Sequence, residues 1–158
     1  MSAGRRAELR AVFLGTSYGT HRERFRLSRT AVDATPPSWA AGGEAWAILT
    51  AWNPGAVQRD RASNEAAQRR LEGQVIRAGY AFLRGVNGEG EWAEPSLIVP
   101  GASWKQARDW AADFGQAAAL WGEGARAALV WPGTQGLAPE DRCWTVPLRP
   151  ERGRRDRV

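Results

Sequence analysis

Cysteine and histidine are almost absent from this 158-residue sequence, which holds one of each. The lone Cys143 cannot form an intramolecular disulfide, and a zinc site built on several cysteines lacks its ligands. A metal site that needs two or more imidazoles is excluded for the same reason. A Ser-His-Asp or Cys-His site would have to use His21, and the polar stretch 19–24 around it is more typical of a solvated histidine.

Long apolar runs are also missing. No stretch approaches the roughly 20 apolar residues that cross a bilayer. Residues 1–10 are charged, and no apolar segment long enough for a signal peptide follows them. We therefore expect a cytoplasmic protein without a membrane partner.

Several catalytic motifs do not occur in the sequence. The phosphate-binding Gly-Lys-Ser/Thr loop, Gly-x-Gly-x-x-Gly, Gly-x-Ser-x-Gly and His-Glu-x-x-His are all absent. Their absence removes support for phosphate-loop ATPases, dinucleotide oxidoreductases, esterases and zinc proteases. The sequence identifies neither a cofactor nor a metal site.

The charge is unevenly distributed. The net charge is +5, of which two positive charges lie in residues 1–10 and three in residues 149–158, so that residues 11–148 sum to zero. A strongly basic protein would suggest nucleic acid as the partner, but here the body of the chain is neutral. The arginine-rich tail can contact phosphates nonspecifically, or it can be a solvated end without a partner.

The length fits one domain, residues 11–148, between a flexible basic N-terminus (1–10) and a flexible tail (149–158). Weak alternation predicts a strand or hairpin over 11–27. The clearest patterning, over 44–131, predicts the order β-α-β-β-α-β-β. Helices that alternate with hairpins indicate an α+β fold with a mixed or antiparallel sheet of about five strands and two main helices packed on it.

Four polar motifs stand at the ends of the predicted elements. They are residues 50–54 (Thr-Ala-Trp-Asn-Pro), Asn64 with residues 69–71 (Arg-Arg-Leu), residues 92–96 (Trp-Ala-Glu-Pro-Ser) and residues 114–118 (Phe-Gly-Gln-Ala-Ala). In this order, and with a glycine-rich hairpin between the second and third, they resemble the motifs of a bacterial family catalogued as domain of unknown function 3293. The resemblance covers roughly residues 44–131 and implies a common fold and a shared site, but it assigns no activity. Ala117 departs from the pattern, since an asparagine is common there, and any role of that amide is lost.

Glu94 is the candidate catalytic residue. It lies between Trp92 and Ser96 in a predicted strand, so the three side chains share one face. A carboxylate beside tryptophan can be partly desolvated, which raises its pKa and suits a general acid or base. The alternative is a structural salt bridge with Arg69 or Arg70.

Five further residues are candidate ligand-binding residues: Asn53, Asn64, Arg70, Ser96 and Gln116. Each also has a structural interpretation. The two asparagines can close a turn and a first helical turn, Arg70 can pair with a neighbouring glutamate, and Gln116 can cap backbone groups.

Three functions follow from these observations. The first is a cleft, lined by Asn, Arg, Glu and Gln side chains, that binds a small polar or nucleotide-like ligand. The second is a structural or protein-interaction role, in which the polar motifs only fix turns and caps. The third is nonspecific nucleic-acid association through the tail, with some of the nine tryptophans as stacking platforms, although core packing explains most of them. The oligomeric state is not indicated.

Overall fold

A computed structural model describes residues 1–149 of the chain. Within this range there are three α-helices: α1 (Ala3–Leu14), α2 (Arg61–Arg77) and α3 (Trp104–Asp113). Eight strands form one sheet: β1 (Tyr18–Gly19), β2 (Arg24–Ser28), β3 (Ala45–Leu49), β4 (Leu83–Asn87), β5 (Glu94–Pro100), β6 (Ala119–Glu123), β7 (Arg126–Val130) and β8 (Arg142–Pro147). All neighbouring strands pair antiparallel, in the order β1-β2-β8-β7-β6-β3-β5-β4.

The sheet curls until its two edge strands approach each other, which gives an almost closed cylinder. The backbone N–H of Gly88, just after β4, donates to the carbonyl of Ser17, just before β1, at 2.8 Å. The guanidinium of Arg24 on β2 donates to the carbonyls of Val86 and Gly88. It also donates to Gly19 O and Ser17 Oγ. One arginine therefore joins the two sides of the seam.

Alternation along the strands separates two hydrophobic layers. One set of side chains fills the inside of the cylinder, among them Trp46, Ile48, Ile98, Leu120 and Leu129. The other set, among them Leu49, Leu97 and Val99, faces outward and is covered by α2, which contributes Leu71 and Val75, and by α3. Burial on both faces explains why β3 and β5 read as continuous apolar runs.

Each helix begins at a capping side chain. The carboxylate of Asp60 accepts the N–H of Ser63 at the start of α2, and Ser103 Oγ accepts the N–H of Gln106 at the start of α3. Helix α1 packs across one end of the cylinder, where Leu9 is buried and Phe13 meets the Trp131 ring edge-on at 6.0 Å. Within residues 1–149, no helix is both long and apolar enough to cross a membrane.

The prediction of about five strands and two main helices is wrong, because residues 1–149 form eight strands and three α-helices. Strand β8 was missed, although it lies between β2 and β7 and completes the sheet. Helix α1 takes up most of the N-terminal segment, and the hairpin predicted over 11–27 begins only at Tyr18. Of the predicted tail, only Arg149 belongs to the described residues, and 150–158 lie outside them.

Candidate functional site

A cavity of about 270 Å³ opens at the end of the cylinder across which α1 packs. Its walls are mainly apolar and include Phe13, Ile48 and Leu120 from the interior layer. Its polar side chains come from four separate segments of the chain. These side chains are Thr16, Thr50, Asn53, Asn87, Glu94 and Gln116, and the indoles of Trp52 and Trp92 also line the cavity. Three of the predicted site residues, Asn53, Glu94 and Gln116, are thus brought together.

Asn53 and Asn64 hold each other in place. The backbone N–H of Asn53 donates to Asn64 Oδ1 at 2.9 Å, and Asn64 Nδ2 donates to Asn53 Oδ1 at 2.8 Å. Asn53 has a left-handed backbone (φ 45°), which asparagine tolerates better than most residues. Asn64 is only 2% exposed and lies behind the cavity. The two hydrogen bonds with Asn64 fix the position of Asn53.

Glu94 is half-buried at the cavity wall. Its Oε1 accepts a hydrogen bond from Asn53 Nδ2 at 3.2 Å. Burial raises the pKa of the Glu94 carboxyl above its ordinary value, and the Asn53 hydrogen bond partly opposes that rise. No salt bridge to Arg69 or Arg70 forms within the described residues, so the alternative of a structural ion pair does not apply.

The raised pKa of Glu94 makes a prediction for Glu94→Gln. The stability that this group contributes is complete below its ordinary value of 4.5 and is lost as the pH rises through the raised folded-state pKa. The variant keeps an oxygen for the Asn53 amide but cannot ionise. Relative to wild type it should gain stability as the pH rises from the ordinary value of 4.5 through the raised pKa, and the gain should be small because solvent reaches the carboxyl.

Urea unfolding of both proteins across this pH range measures the difference. The matched control is Glu91→Gln, since Glu91 is exposed and close in sequence. A stability difference for Glu94→Gln that stays constant with pH would rule out burial of this carboxyl as the cause.

Gln116 lines the cavity, whereas Ser96 does not. Gln116 Nε2 donates to the carbonyl of Trp52 at 3.2 Å, which ties the loop after α3 to the loop after β3. The same two loops are joined by the N–H of Gly55, which donates to the carbonyl of Gly115 at 2.8 Å. Ser96 lies one inward position beyond Glu94 on β5 and is 1% exposed, and its Oγ has no partner within the described residues. It is not part of the cavity lining.

Two polar residues of this region were missed by sequence reasoning. Asn87 is the ladder partner of Glu94 and lines the cavity, and its buried Oδ1 has no partner within residues 1–149. Because the Asn-Gly dipeptide is typical of a turn, Asn87 was interpreted as a turn residue and not as a site residue. Gln68 Oε1 accepts the N–H of Ala51 at 2.9 Å. Its spacing of four from Asn64 places both on one helical face and could have revealed it.

Arg70 lies outside the cavity. Its side chain is exposed and lines a separate groove of about 580 Å³ with Pro54, Asn64 and Phe114. The glutamates considered as its partners are bound elsewhere, because Glu65 pairs with Arg61 and Glu72 with Arg84. The structure therefore places Arg70 apart from Glu94.

Cys143 and His21 lie outside the cavity lining. Burial raises the pKa of Cys143 to about 12, so its thiol stays protonated and a poor nucleophile at neutral pH. His21 is exposed. Among residues 1–149 there is no group of three or more His, Cys, Asp or Glu side chains that could hold a metal ion.

Comparison with known proteins gives one match. Residues 49–119 match a family described as "Protein of unknown function (DUF3293)". Neither the curated proteins nor the solved structures contain a match to the chain. The matched segment runs from the end of β3 to the start of β6 and includes Asn53, Asn64, Arg70, Glu94, Ser96 and Gln116. Through this segment, which is less than half of the chain, the protein resembles the family described as DUF3293.

Proposed function

We propose that the cavity at the end of the cylinder binds a small planar ligand that carries N–H donors. The observation that supports this most is the type of polar atom around the cavity. Glu94 Oε2 and Asn87 Oδ1 have no protein partner within the described residues, and both are acceptors when the carboxyl is ionised. Acceptors without partners in a largely apolar cavity favour a donor-rich ligand.

The size of the cavity limits the ligand further. A volume of about 270 Å³ is slightly below the usual range for drug-sized molecules and suits one or two rings. The indole of Trp92 is 87% exposed at the rim, where it offers a flat face for stacking. These features fit a nucleobase-like heterocycle or an aromatic amidine better than a whole nucleotide.

Glu94 has the central role in this proposal. A cationic or N–H-bearing group beside Glu94 Oε2 stabilises the carboxylate and lowers the pKa that burial has raised. Asn53 holds the other carboxylate oxygen, so the free oxygen has a fixed position. Binding of such a ligand is therefore expected to weaken as the pH falls and Glu94 becomes protonated.

Benzamidine and benzoate provide a matched pair of probes, because they share size and shape but present donors and acceptors respectively. We expect benzamidine to bind with a dissociation constant on the order of 1 mM, as small fragments do, and benzoate not to bind. Glu94→Gln should weaken benzamidine binding by about tenfold or more. Chemical-shift titration by NMR measures the binding of both probes to the wild-type protein and of benzamidine to Glu94→Gln. Adenine extends the series to a nucleobase.

Equal binding of benzoate, or unchanged benzamidine binding in Glu94→Gln, would contradict the proposal. Arg70→Gln is a suitable control, since Arg70 lies outside the cavity. We propose that this binding takes place in the cytoplasm, the location expected from the sequence.

A structural or interaction role is the second candidate, and the Asn53–Asn64 pair favours it. These two side chains satisfy each other and the backbone, as turn-fixing residues do. On this reading Glu94→Gln alters stability alone, and none of the probes binds at the cavity.

A further inference from the structure

A second surface, on the outer face of β7 and β8, combines arginine with tryptophan. It is a groove of about 660 Å³, whose lining includes Arg29, Arg126, Arg142, Trp121 and Trp144. Among the described residues, Glu123 is the only acidic side chain in that lining. Residues 11–148 as a whole carry no net charge, so this groove is a local concentration of positive charge.

The strand register explains how these side chains come together. Arg126 on β7 is the ladder partner of Trp144 on β8, and Arg142 lies two residues before Trp144 on the same face. Cross-strand partners and second neighbours along a strand lie within about 7 Å of each other. The Arg126 guanidinium carbon stands 5.2 Å from the centroid of the Trp144 ring. The two arginines therefore flank one indole.

Arg126 and Arg142 are the arginines of the groove that can contact a ligand, whereas Arg29 donates to the carbonyls of Glu140 and Arg142. Arg126 and Arg142 are exposed and form no salt bridge within the described residues. Although Glu123 is the ladder partner of Arg126, the two do not approach within salt-bridge distance. Trp144 and Trp121 are only partly buried, so part of each indole remains accessible.

We propose that this groove binds single-stranded nucleic acid, with a base stacked on Trp144 and the adjacent phosphates on Arg126 and Arg142. An indole between two guanidinium groups matches the alternation of base and phosphate along an unpaired strand. A duplex does not offer its bases for stacking, which favours a single strand.

This groove is separate from the cavity that contains Glu94, so the two proposals can succeed or fail independently. The two linings share no residue. Glu94→Gln should leave nucleic-acid binding unchanged, and substitutions in the groove should leave benzamidine binding unchanged.

Fluorescence anisotropy of the full-length protein with a labelled 20-nucleotide oligothymidylate tests the inference. Arg126→Gln combined with Arg142→Gln should weaken binding by about tenfold and reduce the slope of log affinity against log salt by about 0.7 for each arginine. Trp144→Leu should weaken binding by about tenfold, while Trp144→Phe, which keeps an aromatic ring, should retain most of the affinity. A duplex of the same length should bind more weakly than the single strand.

Three controls separate the groove from other sources of binding. Arg69→Gln with Arg77→Gln removes the same charge from the exposed side of α2 and should change the affinity by less than about twofold. A full-length variant with glutamine at the four arginine positions 152, 154, 155 and 157 measures the contribution of the tail. Near-ultraviolet circular dichroism verifies that each variant is folded.

Three results would overturn the inference. One is a loss of all binding in the tail variant together with full binding in the Arg126/Arg142 variant, which would assign the interaction to the tail alone. Another is equal weakening by the α2 control. The last is displacement of the oligonucleotide by polyglutamate at equal charge concentration, which would indicate an acidic protein as the partner.

Discussion

Arg24→Met is expected to lower the free energy of unfolding by about 2–4 kcal/mol. The guanidinium donates to three backbone carbonyls and to Ser17 Oγ, and it joins β2 to the segment of β4 across the seam. Hydrogen bonds from a charged group contribute more than neutral ones, and methionine leaves these acceptors without a donor. Urea unfolding measures the loss.

Arg24→Lys should recover only part of the loss, because an ammonium group has three donors and cannot reproduce the planar fork that reaches four acceptors. Arg22→Met is the control, since Arg22 is exposed and its side chain makes no hydrogen bond or salt bridge within the described residues. Hydrogen exchange should show the largest loss of protection in β1 and β4. If Arg24→Met costs no more than Arg22→Met, the seam is held by the backbone contacts and not by the arginine.

Asn64→Asp is expected to lower the free energy of unfolding by about 3 kcal/mol or more at neutral pH. The substitution preserves shape but replaces the Asn64 Nδ2 donor with an oxygen, which then faces Asn53 Oδ1 and the carbonyl of Arg59. A buried charged carboxylate among acceptors is unfavourable, so the pKa of the new acid should be raised in the folded state. Its stability should therefore be greatest at low pH and fall as the pH rises through the raised value.

Urea unfolding at about pH 5 and about pH 8 measures this dependence, and the deficit relative to wild type should be larger at the higher pH. Gln135→Glu makes the same chemical change at an exposed position and should have little effect. Benzamidine binding should also weaken in the Asn64→Asp variant, because Asn53 and through it Glu94 would shift. A deficit of the same size at both pH values would show that the acid remains charged or that Asn64 is not as enclosed as its 2% exposure indicates.

Structural features that depend on residues close together in the sequence can be predicted from the sequence. The caps at Asp60 and Ser103 and the apolar stripe of α2 each depend on residues three or four apart, so their causes lie in the local sequence. Strand β8 was missed because its place depends on pairing with β2, more than 100 residues earlier. Its sequence, which contains arginine, threonine and proline, has no apolar run of its own.

In the candidate site, too, the sequence predicted the position of some residues and not of others. Asn53, Glu94 and Gln116 meet because each follows or begins an element at one end of the cylinder, as motif positions at element ends indicated. Arg70 does not join them, because its side chain is exposed on α2 and lines the separate groove with Pro54 and Phe114.

The position of β8 in the sheet has a consequence for synthesis on the ribosome. Its residues are the last of the sheet to emerge, yet β8 lies between β2 and β7 and pairs with both. A nascent chain that ends before residue 142 leaves one edge of β2 and one edge of β7 unpaired, which β8 covers in the finished protein, and such edges attract other chains. Closure of the cylinder therefore waits for the C-terminal strand, and a stalled or truncated product is exposed to aggregation until it is refolded or degraded.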